Sequence, residues 1–285
     1  MNLFKRFSKF PKYIQSFGLK GLLLFYKIEF LRKINSSIET KYKLDSYEHP
    51  IYLRNSISDH SIFWQCIVQT QYEFNKFPQS KELHNFYKTK IQTNQKVLII
   101  DCGANIGLSA IWLATQFPKA IIFAIEPDLH NYELLKKNTS LYGNRINCLK
   151  GAVWNKSARL KIVNPNSGSA AFIVQEDNSF IEKSSHVDDN KSIKAYTIDD
   201  ICKIADCECP FIVKIDIEGS QKELFKNNTE WVKNTNLICL ELEDWLMPWQ
   251  GTSQPFFSCV SKYPFEYLLG GESIFCFQKT ENITQ

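Results

Sequence analysis

The sequence predicts an α/β fold, in which a doubly wound and mostly parallel sheet carries helices on both faces. After Asn94, short apolar runs alternate with segments of helical spacing. The runs have no polar face, as is typical of strands buried on both sides of a parallel sheet. At 285 residues, the chain suits one main domain with an extension.

The apolar runs predict the strands, and the segments between them predict the helices. Strands are expected at residues 96–100, 121–125, 146–149, 211–215, 237–242 and 273–277. Helices are expected at residues 106–114, 128–142, 198–204, 221–225 and 256–262. A polar stretch at residues 155–195 interrupts the alternation and predicts a hairpin and a loop. About seven strands are expected in one sheet.

Three parts are expected along the chain: a basic amphipathic N-terminal extension (1–45), a cap region (46–94) and the sheet domain (95–280). Two helical patterns occur in the cap region, near residues 61–73 and 80–90. Ser58 or Asp59 is expected to cap the first helix and Ser80 the second, because their side-chain oxygens can accept from free backbone amides.

The charge is unevenly distributed. Residues 1–33 carry eight Lys or Arg and one acid, Glu29, so this segment has a charge of +7. The whole chain has a charge of +4, which leaves −3 for the other 252 residues. The body therefore lacks the positive charge that binds nucleic acid through its phosphates, and no nucleic-acid partner is expected.

The nine cysteines predict free thiols in a reducing compartment, so we expect a cytoplasmic protein. Their number is odd, and most of them lie in apolar runs. The tightest group is Cys202, Cys207 and Cys209. No second pair or histidine follows at the spacing of a zinc site, so no metal is predicted.

The first 33 residues begin like a signal peptide but lack its later features. The apolar stretch from Leu22 to Tyr26 is short, and no small-residue cleavage site follows it. No run approaches the roughly 20 residues of a membrane-spanning helix. The segment instead predicts amphipathic basic helices, broken near Pro11 and Gly18. Either their apolar stripe packs on the body, or residues 1–33 make a weak peripheral contact with an anionic membrane surface.

The first candidate site is the turn that follows the first sheet strand. It contains Asp101, Gly103, Asn105 and Gly107. The glycine spacing is not the G-x-G-x-x-G pattern of dinucleotide-binding proteins, and there is no Walker lysine. An acid at the start of the turn argues against a pyrophosphate and suits a ligand with an ammonium group.

Two further edges of the predicted sheet carry acids. Glu126 ends the second strand, where a carboxylate can accept from both hydroxyls of a ribose. An amino-acid group at one edge and a ribose at the next describe S-adenosylmethionine. Asp216 and Glu218 follow a later strand, and both are expected to face the crevice. Lys214, in contrast, is expected on the opposite face.

Four motifs occur in order along the chain: Asp101-x-Gly103-Ala104-Asn105-x-Gly107, Glu126-Pro127, Thr197-Ile198-Asp199-Asp200 and Lys214-Ile215-Asp216-Ile217-Glu218-Gly219. Together they resemble the FkbM family of S-adenosylmethionine-dependent methyltransferases, over about residues 50–280. Two smaller features are also similar to that family: Ser58-Asp59 ahead of a helix that ends near Tyr72, and Ser167-Gly168-Ser169 in the inserted loop.

The resemblance implies a Rossmann-like, seven-stranded class I methyltransferase sheet, to which this chain adds an N-terminal helical extension. It also implies a role for each site residue. Asp101, Gly103, Asn105 and Gly107 would hold the methionine part of the cofactor, and Glu126 the ribose. Asp216 and Glu218 would border the methyl group and the acceptor, as catalytic residues.

The predicted function is S-adenosylmethionine-dependent methyl transfer, with a hydroxyl of a small molecule or a carbohydrate as the acceptor. A carboxylate such as Asp216 or Glu218, with Asp59 or His60 as further candidates, would remove the hydroxyl proton. The alternative is a non-catalytic protein that binds S-adenosylmethionine or serves as a scaffold. A nitrogen acceptor and a metal requirement both remain open.

Overall fold

The computed structural model describes residues 7–30, 38–162, 174–176 and 192–279. The chain forms two compact units, Met1–Gln71 and Tyr72–Gln285. The three-part division expected from the sequence stays a prediction. Among the described residues, no helix has both the length and the apolar character needed to cross a membrane.

The first unit combines helices with a two-stranded antiparallel sheet. Its elements are α1 (Phe10–Phe17), α2 (Lys20–Phe30), β1 (Glu39–Tyr42), β2 (Ile51–Arg54) and α3 (Ile57–Phe63). A π-helical turn, Trp64–Val68, continues α3. As predicted, the helices are interrupted near Pro11 and at Gly18: a turn at Ser8 and Lys9 precedes α1, and Pro11 lies in the first turn of α1. Proline is tolerated there because the first amides of a helix have no partner inside the helix.

The predicted helix caps in this region are wrong. Ser56 caps α3, and its hydroxyl oxygen accepts from the Asp59 amide at 3.1 Å. The helix therefore begins earlier than the sequence pattern indicated. In the second unit, the helix predicted at 80–90 is α4 (Ser80–Gln92), and no side chain caps it. Ser80 is its first residue, and its hydroxyl donates to the Phe77 carbonyl at 2.7 Å.

The second unit contains a seven-stranded sheet, which confirms the predicted fold class. In chain order its strands are β3 (Leu98–Cys102), β4 (Ile121–Glu126), β5 (Ile146–Lys150), β10 (Ile212–Ile215), β11 (Leu237–Glu241), β12 (Phe265–Gly270) and β13 (Ser273–Gln278). In space the order is β12-β13-β11-β10-β3-β4-β5. All neighbours from β11 to β5 are parallel, and β13 is antiparallel to β11 and β12.

Helices connect these strands at the predicted positions. They are α5 (Leu108–Gln116), α6 (Leu129–Thr139), α7 (Ile198–Ala205), α8 (Gln221–Leu224) and α9 (Gln254–Val260), with short 3-10 helices at Ser140–Arg145 and Glu230–Asn234. Thr197 caps α7 as expected: its hydroxyl accepts from the Asp200 amide, and the Asp200 carboxylate accepts from the Thr197 amide. This reciprocal pair satisfies two amides that the helix itself cannot satisfy.

The sequence pattern missed one strand of the sheet, β12. It lies at the edge of the sheet, where Tyr267 and Leu269 are exposed and Phe265 is buried. An edge strand has a partner on one side alone, so its side chains need not follow the two-sided burial that marked the central strands.

A second small sheet occupies part of the polar insertion. Its strands are β6 (Ala152–Val153), β7 (Arg159–Ile162), β8 (Val174–Glu176) and β9 (Ile193–Tyr196), in the order β6-β9-β7-β8. β7 and β8 pair antiparallel, as expected for a hairpin. The motif Ser167-Gly168-Ser169 in this insertion lies outside the described residues.

The position of β3 beside β10 determines where a ligand can bind. From β3 the chain runs to β4 and β5 on one side, and it later returns to form β10 and β11 on the other. The connections on either side of this point leave in opposite directions, which opens a crevice at the carboxyl ends of the two strands. Asp101, the 103–107 turn and Asp216 all belong to this edge.

Candidate active site

The glycine-rich turn after β3 lies against the segment that follows β10. Gly103 has a φ of +78°, which L side chains rarely adopt. A Cβ placed on Gly103 would lie 1.9 Å from the Asp216 carbonyl oxygen. A residue without a side chain is therefore needed for the two turns to approach each other.

Asn105 and Gly107 complete the turn into α5. Asn105 has a φ of +50°, and its side-chain oxygen accepts from the Ile106 amide at 2.9 Å, which stabilises this left-handed conformation. A Cβ on Gly107 would lie 2.7 Å from Leu135 Cδ1, so this glycine lets α5 and α6 pack closely. A direct contact between either residue and a cofactor stays a prediction.

Glu126 ends β4, where it is almost completely buried. Its carboxylate accepts from the amides of Asn105 at 2.9 Å and Asp128 at 3.0 Å. Burial raises the pKa of Glu126 to about 7, although these two amides act in the opposite direction. Glu126 therefore ties the ends of β3 and β4 together, and its oxygens retain further lone pairs for a ligand.

Asp101 is fully buried and pairs with a lysine of its own chain. Its carboxylate lies 2.9 Å from Lys214 Nζ, and it also accepts from the Ser109 hydroxyl at 2.5 Å. The two strands place Asp101 opposite Lys214 in register, so both side chains leave the same face of the sheet. The ammonium group nearest to Asp101 is thus Lys214, and a contact with the methionine part of a cofactor stays a prediction.

The expected direction of Lys214 is wrong. Its ammonium nitrogen also lies 3.5 Å from Asp216 Oδ2, and it donates to the Gly103 carbonyl at 2.8 Å. Side chains alternate along a strand with a period of two, so Lys214 and Asp216 share a face. The acid at the end of β10 therefore does have a basic neighbour.

Asp216 has a second partner from a distant part of the unit. The Tyr72 hydroxyl donates to Asp216 Oδ2 at 2.9 Å, and Lys214 Nζ lies 5.3 Å from the centre of the Tyr72 ring. About a third of the Asp216 side chain is exposed, whereas Lys214 is almost completely buried. Asp216 is therefore the open end of a buried charge network.

Two more acids lie beside Asp216. Burial, followed by the negative charge of Asp216, raises the pKa of Glu218 to about 7. Glu243 follows β11 and accepts from the Gly219 amide at 2.6 Å. Burial is also the main cause that raises the pKa of Glu243, to about 8, and the charges of Glu218 and Asp216 add to it.

The sequence pattern did not identify three residues of this network. It indicated Tyr72 as the end of a helix, placed Lys214 on the wrong face and gave no role to Glu243. The available signal for Glu243 is an acid just beyond the predicted strand at 237–242, which is the same pattern that identified Asp216.

The predicted alternative bases differ in their surroundings. Asp59 is fully buried in the first unit, where Arg54 Nη2 lies 2.7 Å from its carboxylate and the Ser56 hydroxyl donates to it at 3.0 Å. These bonds give Asp59 a structural role. His60 is buried in the same unit, and its role as a base stays a prediction.

The described residues contain no cluster of three or more side chains suited to hold a metal ion. All nine cysteines are free thiols. Cys207, in the tightest group, donates to the carbonyl of Cys209 at 3.3 Å.

The raised pKa of Glu243 predicts a pH-dependent stability difference. Its usual pKa of 4.5 applies to the unfolded chain, so the folded protein binds more protons between about pH 4.5 and 8. Ionisation of Glu243 therefore destabilises the folded state progressively as the pH rises through this window, by at most about 1.4 kcal/mol per pH unit.

Glu243→Gln removes this effect. The melting temperature of the variant, relative to the unchanged protein, should rise between pH 5 and pH 8 in scanning calorimetry. Glu230→Gln, at an exposed position, serves as the control and should show no such trend. A constant difference for Glu243→Gln would contradict the assignment.

Two characterised relatives are methyltransferases by name. The hexuronic acid methyltransferase AglP of Haloferax volcanii is 24% identical over 143 residues, which are 50% of this chain and 54% of the relative. The methyltransferase sdnD of Sordaria araneosa is 24% identical over 173 residues, 52% of this chain and 66% of the relative. The matches thus span less than two thirds of either relative.

Solved structures of methyltransferases are also similar, at low TM-scores. The precorrin-6y C5,15-methyltransferase of Geobacter metallireducens has a TM-score of 0.36 at 12% identity, covering 65% of this chain and 80% of that one. Monomeric WbdD has a TM-score of 0.39 at 12% identity, with coverages of 75% and 43%. The strand order described above, and not these scores, establishes the fold.

The Methyltransferase FkbM domain matches residues 101–253, which is more than half of the chain. The matched stretch begins at Asp101 in β3 and extends past Glu243. It contains the 103–107 turn, Glu126 and the acids after β10, so the crevice is built from the matched residues apart from Tyr72. The chain therefore belongs to the FkbM methyltransferase family.

Proposed function

We propose that this protein transfers a methyl group from S-adenosylmethionine to a hydroxyl of a carbohydrate or of a small molecule. The observation that carries this proposal is the carboxylate pair Asp216 and Glu218 at the switch point of a methyltransferase-type sheet. Family membership supports methyl transfer, and the environment of these two acids supports a hydroxyl acceptor.

The residues at the crevice suit the proposed cofactor chemically. Glu126 is a hydrogen-bond acceptor at the end of the second strand, with lone pairs left for ribose hydroxyls. The 103–107 turn brings backbone groups to the edge of the crevice and carries no phosphate-binding glycine pattern. The Asp101 carboxylate, in contrast, would affect a cofactor indirectly. It positions Lys214, which in turn donates to the Gly103 carbonyl in the 103–107 turn.

When bound, S-adenosylmethionine supplies a methyl group on a positively charged sulfur, and the acceptor oxygen gains this methyl as the carbon–sulfur bond breaks. The protein has to position the acceptor hydroxyl and receive its proton. Glu218, with a pKa of about 7, suits proton acceptance near neutral pH. Asp216, held by Tyr72 and Lys214, suits the positioning of the hydroxyl.

A loop beside the acids supports a carbohydrate acceptor. Residues 242–253 follow β11, and Glu243 binds them to Gly219. The Lys222 ammonium group also donates to the Gln250 carbonyl at 3.1 Å. Trp245 is 74% exposed in this loop, and Trp249 is fully exposed. Exposed flat aromatic rings in the loop that also contains Glu243 match a sugar ring, which has apolar faces and a rim of hydroxyls.

The name of one relative, hexuronic acid methyltransferase AglP, also supports a sugar acceptor. A direct test is calorimetric titration with S-adenosylmethionine, S-adenosylhomocysteine and NAD, followed by a screen with labelled cofactor on sugars and polyols. Binding of the first two ligands with label transfer to a sugar would support the proposal. Binding without transfer to any acceptor would favour the non-catalytic alternative, and binding of NAD alone would refute both.

The proposed ribose contact of Glu126 predicts a loss of cofactor affinity. Hydrogen bonds to a charged group contribute about 1.5 to 3 kcal/mol, so Glu126→Ala should weaken S-adenosylmethionine binding about 10- to 100-fold in calorimetry. Glu126→Gln keeps the shape, but its amide group can accept through one oxygen alone, so a smaller loss is expected. Unchanged affinity in both variants would remove Glu126 from the cofactor site.

A further inference from the structure

The inner face of α2 is buried by packing within the first unit. Leu24, Phe25 and Ile28 are buried there, and the ring centre of Phe25 lies 5.5 Å from that of Tyr13 in α1. A Cβ on Gly21 would lie 2.2 Å from the Tyr13 carbonyl oxygen, so the two helices are in close contact. The packing of the helices thus uses one apolar stripe of α2.

The outer face of α2 carries a second apolar stripe, which this packing leaves exposed. Leu19, Leu22, Leu23 and Tyr26 are between 55% and 90% exposed. Leu19 directly precedes α2, the adjacent Leu22 and Leu23 follow it by three and four residues, and Tyr26 follows them by four and three, so the four side chains lie along one side of the helix. Single exposed leucines are common in soluble proteins, but a continuous row of this kind marks an interaction surface.

A basic cavity of about 600 Å³ lies beside this stripe, between α2 and residues 41–46. Four lysines line it: Lys20, Lys27, Lys41 and Lys43. Asp45 is the one acid of the lining, and it pairs with Lys20 at 2.5 Å. The lining therefore has a net charge of +3, and its floor includes the buried side chains of Tyr42 and Leu44.

We propose that this face binds the surface of a membrane that contains anionic phospholipid. The exposed leucines and Tyr26 would enter the boundary between headgroups and acyl chains, and the lysine-lined cavity would hold a lipid phosphate. A partner of this kind needs an apolar stripe next to positive charge, because lipid presents apolar chains next to negative charge. Two separate features of the unit, the stripe and the cavity, meet this requirement side by side on α2, and Leu23 belongs to both.

The experiment uses the full chain and sedimentation with vesicles of phosphatidylcholine, with or without phosphatidylglycerol. Binding is expected to the anionic vesicles, and it should weaken as salt is raised because screening shortens the reach of the charges. Lys27→Glu with Lys43→Glu should weaken this binding about 30-fold or more, at about 5-fold for each lysine removed. Leu22→Ser with Leu23→Ser should weaken binding to all vesicles.

Matched controls come from exposed positions of the second unit. Lys88→Glu with Lys119→Glu, and Leu129→Ser with Leu141→Ser, change the same residue types and should leave vesicle binding unchanged. Circular dichroism confirms that each variant is folded. Equal binding to neutral and anionic vesicles, or equal losses in the controls, would overturn the proposal.

Sedimentation velocity without vesicles tests the competing occupant, a second copy of the chain. A dimer that Leu22→Ser with Leu23→Ser dissociates, together with no vesicle binding, would assign the surface to self-association and refute the membrane proposal. None of these measurements depends on methyl transfer, so the result is independent of the proposed function.

Discussion

Asp216→Asn is expected to lower the rate of methyl transfer by about 100- to 10,000-fold, the range typical of a lost acid–base or charge-bearing group. Asn has nearly the same shape as Asp but no charge. It can neither accept a proton nor hold an acceptor hydroxyl as strongly as a carboxylate. The measurement is single-turnover transfer of a labelled methyl group to the acceptor found in the screen.

The structure gives a reason to expect that Asp216→Asn still folds. Lys214 keeps Asp101 as its closer counterion, at 2.9 Å, so no buried charge is left alone. S-Adenosylmethionine affinity should change far less than the rate, because the proposed role of Asp216 concerns the acceptor. Asp206→Asn serves as the control. It removes the acid of the exposed ion pair between Lys96 and Asp206, and it should leave the rate unchanged.

The pH profile separates the two acids after β10. If Glu218 accepts the proton, the rate of the unchanged protein should rise with pH through the pKa of about 7, as Glu218 ionises. Asp216→Asn should retain this rise at a lower rate and at a somewhat lower pH, because the negative charge that helps to raise the pKa of Glu218 is removed. Full turnover of Asp216→Asn, or a variant that does not fold, would return Asp216 to a structural role.

Lys214→Met is expected to destabilise the second unit by about 3 to 5 kcal/mol, because it leaves the Asp101 carboxylate buried without a positive counterion. For a domain of this size, that loss corresponds to a melting temperature lower by about 6 to 20 °C. Scanning calorimetry measures the change directly. Methionine keeps much of the length of the lysine stem, so lost packing contributes little.

Two further variants show whether charge is the cause. Asp101→Asn combined with Lys214→Met removes both charges, and the double variant should recover much of the lost stability. Lys96→Met breaks the pair with Asp206, which is exposed to solvent, and should change the melting temperature little. Normal stability in Lys214→Met would show that the buried pair is not needed for folding.

The central strands of the sheet were predictable because burial on both faces requires mostly apolar residues, which appear as runs in the sequence. Runs such as Leu98–Cys102 and Ile212–Ile215 are almost entirely apolar, as the inside of a covered sheet requires. The helix cap at Thr197 was predictable for a similar reason, since its bonding partner Asp200 is three residues away. Both patterns are local, and so is the physical requirement behind each.

The edge strand β12 and the cap of α3 were not predicted, for two different reasons. β12 has a neighbour on one side alone, so its burial pattern depends on what surrounds the sheet edge. At the start of α3, three side chains within four residues carry an oxygen that could cap the helix: Ser56, Ser58 and Asp59. The Arg54 guanidinium binds the Asp59 carboxylate, which leaves Ser56 as the cap.

By itself, the sequence determined the central strands of the sheet, the order of the site acids along the chain and the family motifs, since these depend on residues close together in the chain. Tertiary structure alone decided the partners of those acids. Strand register placed Lys214 against Asp101, and folding brought Tyr72 to Asp216 across 144 residues and Glu243 to Gly219 across 24. The charge and the pKa of a buried acid depend on such neighbours, because little water is left to screen them.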